Sequence, residues 1–380
     1  MARKMKDSGI EWIGEIPEGW ETCRIKNVVT CHDEWREPIS ADKRENSLKL
    51  YDYYGASGVI DTIDNYNVDS TVLLIGEDGA NLRLRNLPLV YRASGKFWVN
   101  NHAHILVVPP RNDYSFIAHL LESGDFTNYI TGSAQPKLSQ FNLMRFPIAI
   151  PSLDEQKHIS NYLDIECSRI DAMLTKTRSS IEEYKKLKQA VITQAVTEGT
   201  PTMFSSPHSV KLKYLISIVS GDAIRNEQLS DLGEYPVYGG GEIIGFCSQY
   251  NTSEGSLIIG RVGARCGCVT HTTCKSWATD NALIVLPTCN AKYMYYVIGH
   301  CQLNNLNISN AQPLITSTKI KNVVVPYFSD AMQQQEIADY LDAKCAEIDK
   351  LIAKKEQLVK ELESYKKSLI YEVVTGKREV

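Results

Sequence analysis

Apolar and polar positions alternate in two different rhythms along this chain. Short runs such as Val72-Leu73-Leu74-Ile75, Ile105-Leu106-Val107-Val108, Leu257-Ile258-Ile259 and Leu283-Ile284-Val285-Leu286 are bounded by Gly, Asn, Asp and Pro, the punctuation of strands. Short helices are predicted at 114–122 and 291–301. From Asp154 to Thr197, and again from Ala331 to Thr375, Pro and Gly are absent and charges are dense. There the apolar residues follow a heptad. One seam position of the first stretch holds Leu163, Ile170, Thr177, Tyr184 and Val191, and the other Cys167, Leu174, Ile181, Lys188 and Ala195. The second stretch holds Leu341, Ile348, Lys355, Leu362 and Leu369, with Cys345, Ile352, Val359, Lys366 and Val373. A helix of this length overhangs a domain of ordinary size, which predicts that the two helices pair with each other.

The elements recur in order, so the chain contains one unit twice. Tyr54-Gly55-Ala56-Ser57-Gly58-Val59-Ile60 matches Tyr238-Gly239-Gly240-Gly241-Glu242-Ile243-Ile244. Leu73-Leu74-Ile75-Gly76, followed by Gly79-Ala80, matches Leu257-Ile258-Ile259-Gly260, followed by Gly263-Ala264. Trp98 to Ala103 matches Trp277 to Ala282, and Ala134-Gln135-Pro136 matches Ala311-Gln312-Pro313. Gln156 to Thr197 aligns without a gap on Gln334 to Thr375, with Tyr-Leu-Asp at 162–164 and 340–342. The expected class is α+β, with two β-rich domains at 1–150 and 201–325 and helices at 151–200 and 326–380. The helices form an antiparallel coiled coil with a pseudo-two-fold relation. A polar pair, Thr177 against Lys355, is expected to fix its register.

Composition narrows the function. The 380 residues carry a net charge of −4, which argues against a generic nucleic-acid binder. Residues 1–150 hold 16 basic and 19 acidic groups, and residues 201–325 hold 9 and 7. Nucleic-acid binding must therefore come from local placement of Arg and Lys. No run of about 18 apolar residues is present, so no membrane span is expected. The opening lacks the apolar stretch of a secretory signal. The ten cysteines form no CxxC pair and are expected to be reduced thiols of a cytoplasmic protein. Cys266, Cys268, His271 and Cys274 lack the two-pair spacing of a zinc site. No metal and no cofactor are expected.

At this point the residues resemble a known family. Met5-Lys6-Asp7-Ser8-Gly9-Ile10-Glu11-Trp12-Ile13-Gly14-Glu15-Ile16-Pro17-Glu18-Gly19-Trp20 resembles the opening of type I restriction–modification specificity subunits. Ile150-Pro151-Ser152-Leu153-Asp154-Glu155-Gln156, with Ile159 and Tyr162-Leu163-Asp164, resembles their first conserved helical region. Val325-Pro326, Gln334-Gln335-Glu336-Ile337 and Tyr340-Leu341-Asp342 resemble the second. Residues 238–246 resemble the early part of their target-recognition domains. The stretch from Glu198 to Ser209 departs from the pattern, because many members repeat the opening signature there. The resemblance implies that each target-recognition domain reads one half of a bipartite, gapped sequence in double-stranded DNA. It implies that the paired helices set the gap and dock two methyltransferase subunits, and that motor-nuclease subunits join for restriction. It also implies that the chain itself is not an enzyme.

The residues agree with that division. The only Pro-Pro, Pro109-Pro110, lacks the flanks of an amino-methyltransferase motif. The two Gly-Lys steps, Gly95-Lys96 and Gly376-Lys377, have Val90 and Tyr371 where a phosphate loop needs its first Gly. Glu183-x-Lys185 and Asp342-x-Lys344 resemble the end of a nuclease motif, but they lie on the helices, where charges form a solvated face. His102 and His104 alternate along a strand and are expected to be structural. Base edges are read by Arg, Lys, Asn and Gln, so the loop holding Asn81, Arg83, Arg85 and Asn86 is a candidate reader. So is its counterpart with Arg261 and Arg265. Lys43, Arg44, Asn46, Arg225, Asn226 and Lys275 are weaker candidates. Glu77 and Asp78 beside the first loop either orient its arginines or exclude phosphate. A self-contained DNA methyltransferase or endonuclease, and a scaffold that binds only protein, are the competing functions.

Overall fold

A computed structural model describes residues 3–45, 48–203, 205–263, 265–306 and 313–380. Asn46, Ala264, Ala311 and Gln312 lie outside the described residues. The chain divides into two compact units. The first comprises residues 1–176 and 358–380, and the second residues 177–357.

In the first unit, Val72–Gly76 lies between Ala103–Val107 and Val90–Ala93, and Thr30–Cys31 extends this antiparallel sheet. All five residues of Val72–Gly76 are buried, because helix Tyr114–Ser123 and a second sheet cover its faces. That second sheet runs Gly58–Ile63, Tyr51–Gly55, Lys96–Val99, Val68–Asp69. Its central pair, Tyr51–Gly55 beside Lys96–Val99, is parallel, with Tyr53 level with Trp98.

The second unit repeats this plan. Leu257–Gly260 lies between Ala282–Pro287 and Val269–His271, with Ile216–Ser220 at the edge. Tyr235–Gly239 pairs antiparallel with Glu242–Cys247 and parallel with Trp277–Ala278. Even the irregularities recur, as a bulge at Tyr53/Tyr54 and again at Val237/Tyr238. The glycines of the shared motifs explain the recurrence. A Cβ on Gly76 would sit 2.7 Å from the Ala56 carbonyl oxygen, and one on Gly260 2.2 Å from that of Gly240. The hairpin turn packs its backbone directly onto the strand end, a space open to Gly alone.

Each unit feeds into a long helix, Leu153–Glu198 and Ala331–Val374. Ser152 Oγ accepts from the Glu155 N–H at 3.4 Å, and Asp330 Oδ1 from the Met332 N–H at 2.7 Å, so each helix starts at an N-cap side chain. Each stops at a left-handed glycine, Gly199 (φ 88°) or Gly376 (φ 73°). The helices of 46 and 44 residues are about 69 and 66 Å long at 1.5 Å per residue.

The helical segments within each unit run antiparallel. Lys366 Nζ meets Asp171 at 2.6 Å in the first, and Lys188 Nζ meets Asp349 at 2.6 Å in the second. Lys188 and Lys366 are the polar interruptions at equivalent seam positions, and their partners are equivalent too. These pairs, not Thr177 with Lys355, mark the register. Lys355 reaches over the Tyr184 ring instead, 5.7 Å from its centroid. Leu163, Ile170 and Leu174 are buried in the first unit's core and Leu341 in the second's; Ile181 and Ile348 are also buried. Tyr184, Ile352, Val359 and Leu362 are half-buried. Cys167 belongs to the first core and Cys345 to the second.

Candidate nucleic-acid interface

The motifs shared by the two halves are the bolts between each globular part and its helix. Gln156, almost fully buried, accepts from the Asp113 N–H at 2.9 Å and donates to the Pro151 carbonyl at 3.0 Å. Gln334 repeats this with the Asn290 N–H at 3.1 Å and the Phe328 carbonyl at 2.6 Å. Asp113 and Asn290 in turn cap the helices Tyr114–Ser123 and Ala291–His300. About two helical turns on, the Asp of each Tyr-Leu-Asp closes a second bolt. Asp164 holds His119 at 2.8 Å and Arg92 at 3.0 Å. Asp342 holds Lys292 at 2.6 Å and the Tyr296 hydroxyl at 2.7 Å. Burial alone would raise both carboxyls, but these partners outweigh it and hold them below the ordinary value.

The loop after Gly76 is where the candidate readers lie. Asn81 clamps the loop on itself, donating to the Leu87 and Pro88 carbonyls at 3.2 and 3.1 Å and accepting from the Leu87 N–H at 2.9 Å. Arg85, at φ 52°, donates to the Glu122 carbonyl. The Glu122 carboxylate accepts from the Leu89 and Val90 N–H groups, each at 2.8 Å, and burial raises its pKa against those bonds. Arg83 and Asn86 are exposed, with Arg83 donating to the Gly132 carbonyl at 3.0 Å.

In the second unit Arg261 is half-buried and follows Gly260 directly. Arg265 is exposed and pairs with Glu242 at 2.8 Å. Arg44 lies 4.7 Å over the Tyr53 ring and pairs with Asp61 at 3.3 Å, whereas Lys43 on the same short helix is exposed. Lys275 lies 4.5 Å over the Tyr250 ring, and Arg225 and Asn226 are exposed. The structure thus gathers Asn81, Arg83, Arg85 and Asn86 on one loop, keeps Arg261 and Arg265 four residues apart after Gly260, puts Lys43 and Arg44 on one short helix, and leaves Arg225 and Lys275 on other segments.

Glu77 does not orient the loop arginines. Its carboxylate receives Arg36 and, at 3.0 Å, Lys137. Burial would raise its pKa, but the hydrogen bonds from Lys137 and Arg36 hold it below the ordinary carboxylate value. Arg36 also meets Asp33 at 3.3 Å, and Asp33 accepts from His104 at 2.7 Å. Asp78 is taken by His102 at 2.7 Å. This network was missed in the sequence, since Arg36 stands 41 positions before Glu77 with no motif to join them. In the second unit the Glu77 position is occupied by Arg261. The backbone is matched, as the Leu138 N–H donates to the Glu77 carbonyl at 2.8 Å and the Ile315 N–H to that of Arg261 at 3.0 Å.

Among the described residues, three potential metal-ligand atoms gather at Cys31, Asp33 and His104, and not at Cys266, Cys268, His271 and Cys274. Both His104 nitrogens are engaged, Nδ1 with Asp33 and Nε2 with the Leu138 carbonyl at 2.8 Å. Burial, with Asp33 adding to it, pushes the Cys31 thiol up to about 12. The cluster is thus a hydrogen-bonded part of the core. No helix among the described residues is long and apolar enough to cross a membrane.

Comparisons with known proteins agree with this plan. A putative type I restriction enzyme specificity subunit of Haemophilus influenzae, S.HindORF215P, is 31% identical over 140 residues, which cover 37% of this chain and 34% of that protein. The EcoprrI type I specificity subunit of Escherichia coli is 26% identical over 150 residues, covering 37% and 36%. The matches thus span about a third of the length of these curated relatives. A solved structure concerning complex assembly and conformational transition of the type I R-M system shares the fold at TM-score 0.71 and 16% identity, covering 96% of this chain and 99% of that one. The HsdS subunit of Thermoanaerobacter tengcongensis aligns at TM-score 0.50 and 14% identity, covering 96% and 98%. The family model described as type I restriction modification DNA specificity domain matches residues 17–183 and 208–361, one stretch in each half, and the chain belongs to that family.

Proposed function

We propose that the chain is the non-catalytic DNA reader of a type I restriction–modification complex. In this reading residues 1–150 and 201–325 are target-recognition domains, each reading one half of a bipartite, gapped target in double-stranded DNA. Residues 151–200 and 326–380 are the spacer helices that set the gap and dock two methyltransferase subunits. Motor-nuclease subunits complete the restriction complex. The duplicated architecture carries the reading: one mount, built in both units around a buried Gln and the Asp of Tyr-Leu-Asp, presents two loops of different sequence. Arg83 and Asn86 in the first unit, and Arg261 in the second, are the foremost base readers. Asn81 and Arg85 shape the first loop, Arg265 follows Arg261 by four positions, and Lys43, Arg225 and Lys275 are further candidate contacts.

Co-expression with the methyltransferase subunit, followed by methylation-sensitive long-read sequencing, tests this. A bipartite motif that disappears without the chain is the expected result. Arg261→Ala is expected to relax one half-site and spare the other. Inserting four residues, about one turn, into the second helix is expected to change the gap alone. Pure chain that transfers methyl groups from a labelled donor, or cleaves DNA, overturns the assignment in favour of an enzyme. A chain that assembles with its subunits but confers no sequence preference is a protein scaffold.

A further inference from the structure

Resting on the DNA-reader reading, we propose that each unit carries a basic cradle for the sugar–phosphate backbone, apart from the reading loops. The cradle is Arg24, Lys26 and Arg145 in the first unit and Lys211, Lys213 and Lys321 in the second.

In the first unit a groove of about 510 Å³ is lined by Arg24, Lys26, Gln140, Phe141, Met144 and Arg145. Arg24, Lys26, Phe141 and Arg145 are all exposed, and the Arg145 guanidinium lies 4.8 Å from the Phe141 ring centroid. The fold repeats the site. Arg24 is level with Pro147 in one strand pair, and Lys211 with Val324 in the other. The Ile25 N–H donates to the Phe146 carbonyl at 3.1 Å, and the Leu212 N–H to that of Val323 at 2.9 Å. Arg24 and Lys26 therefore correspond to Lys211 and Lys213. The short helices Gln140–Arg145 and Ser317–Lys321, capped by Ser139 and Thr316, bring the third cation. An exposed aromatic stands beside the cations in both, Phe141 in one and Tyr214 in the other, with Lys213 Nζ 4.7 Å from the Tyr214 centroid.

Two observations support these six cations. The chain is net acidic, yet among the described residues no ion pair joins a carboxylate to any of the six, as is also the case for the candidate readers Arg83 and Arg261, whereas Arg36, Arg44, Arg92, Lys292 and Arg265 have acidic partners. The third cation also comes from the segment that continues the reading-loop contact. Lys137 bridges to Asp78, and the helix begins three residues later, at Gln140. Leu314 bridges to Val262, and the helix begins three residues later, at Ser317.

Phosphate oxygens are therefore the favoured ligand. They supply the negative charge that these cations lack. They also accept Arg and Lys alike, which fits Arg24 and Lys211 at matched positions. An acidic face of a partner protein is the competing occupant.

The test uses the full chain, alone and with its methyltransferase subunits, and duplexes with and without the target. Binding is measured from 50 to 300 mM salt for R24Q/K26Q/R145Q, for K211Q/K213Q/K321Q and for the charge-preserving R24K/R145K. Each neutralised contact is expected to lower the slope of log affinity against log salt by about 0.9, and affinity about five-fold at 0.15 M salt. The loss is expected to be equal on both duplexes, so sequence preference stays intact, and R24K/R145K keeps the parent slope. Unchanged slopes in both triple variants, with thermal midpoints equal to the parent's, overturn the cradle. Loss of co-assembly with the methyltransferase at unchanged slope also overturns it, in favour of an acidic protein face. If the parent prefers no duplex, the reader assignment fails instead, and the slopes on unrelated DNA still decide the cradle.

Discussion

Replacing Gln156 by Met removes a hydrogen-bonding end from a buried side chain while keeping its length. Gln156 is 2% exposed, and the Asp113 N–H and Pro151 carbonyl lie 2.9 and 3.0 Å from its amide. Met offers neither a donor nor a comparable acceptor. Each buried group left without a partner costs about 1–3 kcal/mol. Pro151 is buried and keeps the full penalty, while Asp113 is half-buried and recovers part of it from water. The expected loss is about 2–4 kcal/mol, read as a lower urea midpoint at unchanged slope. Hydrogen exchange locates it. Asp113 caps helix Tyr114–Ser123 through the Phe116 N–H at 2.8 Å, so amides from Phe116 to Leu121 are expected to lose protection first. Gln334→Met makes the same change in the other unit and is expected to expose amides of Ala291–His300. A Gln156→Met protein within 0.5 kcal/mol of the parent, or one whose Tyr114–Ser123 amides keep full protection, refutes the bolt.

Leu163→Ala and Leu341→Ala empty fully buried positions on the long helices and are each expected to cost about 2–5 kcal/mol in urea unfolding. Gly260→Ala drives a Cβ against the Gly240 carbonyl, and Gly76→Ala one against that of Ala56; both are expected to lower the thermal midpoint, Gly260→Ala by more. The Glu77 pKa is lower folded than unfolded, so its stabilisation is complete above the ordinary value near 4.5 and is lost as pH falls through the folded value. Acid titration followed by hydrogen exchange is expected to loosen the Glu77–Arg36 region below about pH 4.5, and Glu77→Gln to flatten that limb of the profile. A flat profile in the parent would remove the network from the stability of the first unit.

The long helices were legible because nothing in them competes with a helix. They hold no Pro or Gly, and their heptads and caps agree with one another. The duplicated Gly motifs were legible because a backbone contact that admits Gly alone leaves the same trace twice. The parallel pairing of Tyr53 with Trp98 was not, since strands that far apart in sequence carry no local sign of their partner. Arginines were the hardest to read. Arg44, Arg83 and Arg85 look alike in composition, yet Arg44 is taken by Tyr53 and Asp61, Arg85 by the Glu122 carbonyl and the exposed Arg83 by that of Gly132. A cation's free or engaged state is decided by tertiary neighbours. The heptad interruptions Thr177 and Lys355 drew attention as a polar pair, but Lys188 and Lys366 make the register-marking bonds because each has an Asp within its reach.

The bolts at Gln156 with Asp164, and at Gln334 with Asp342, fasten each loop-bearing part to its helix independently of the loops themselves. Each holds its globular part through a capped helix and a few side chains that never enter the loops. A recombination point just before either bolt would therefore exchange a whole loop-bearing part for another carrying the same fittings. New targets would then arise in single steps by trading parts rather than by slow loop drift, with each exchanged part arriving already mounted.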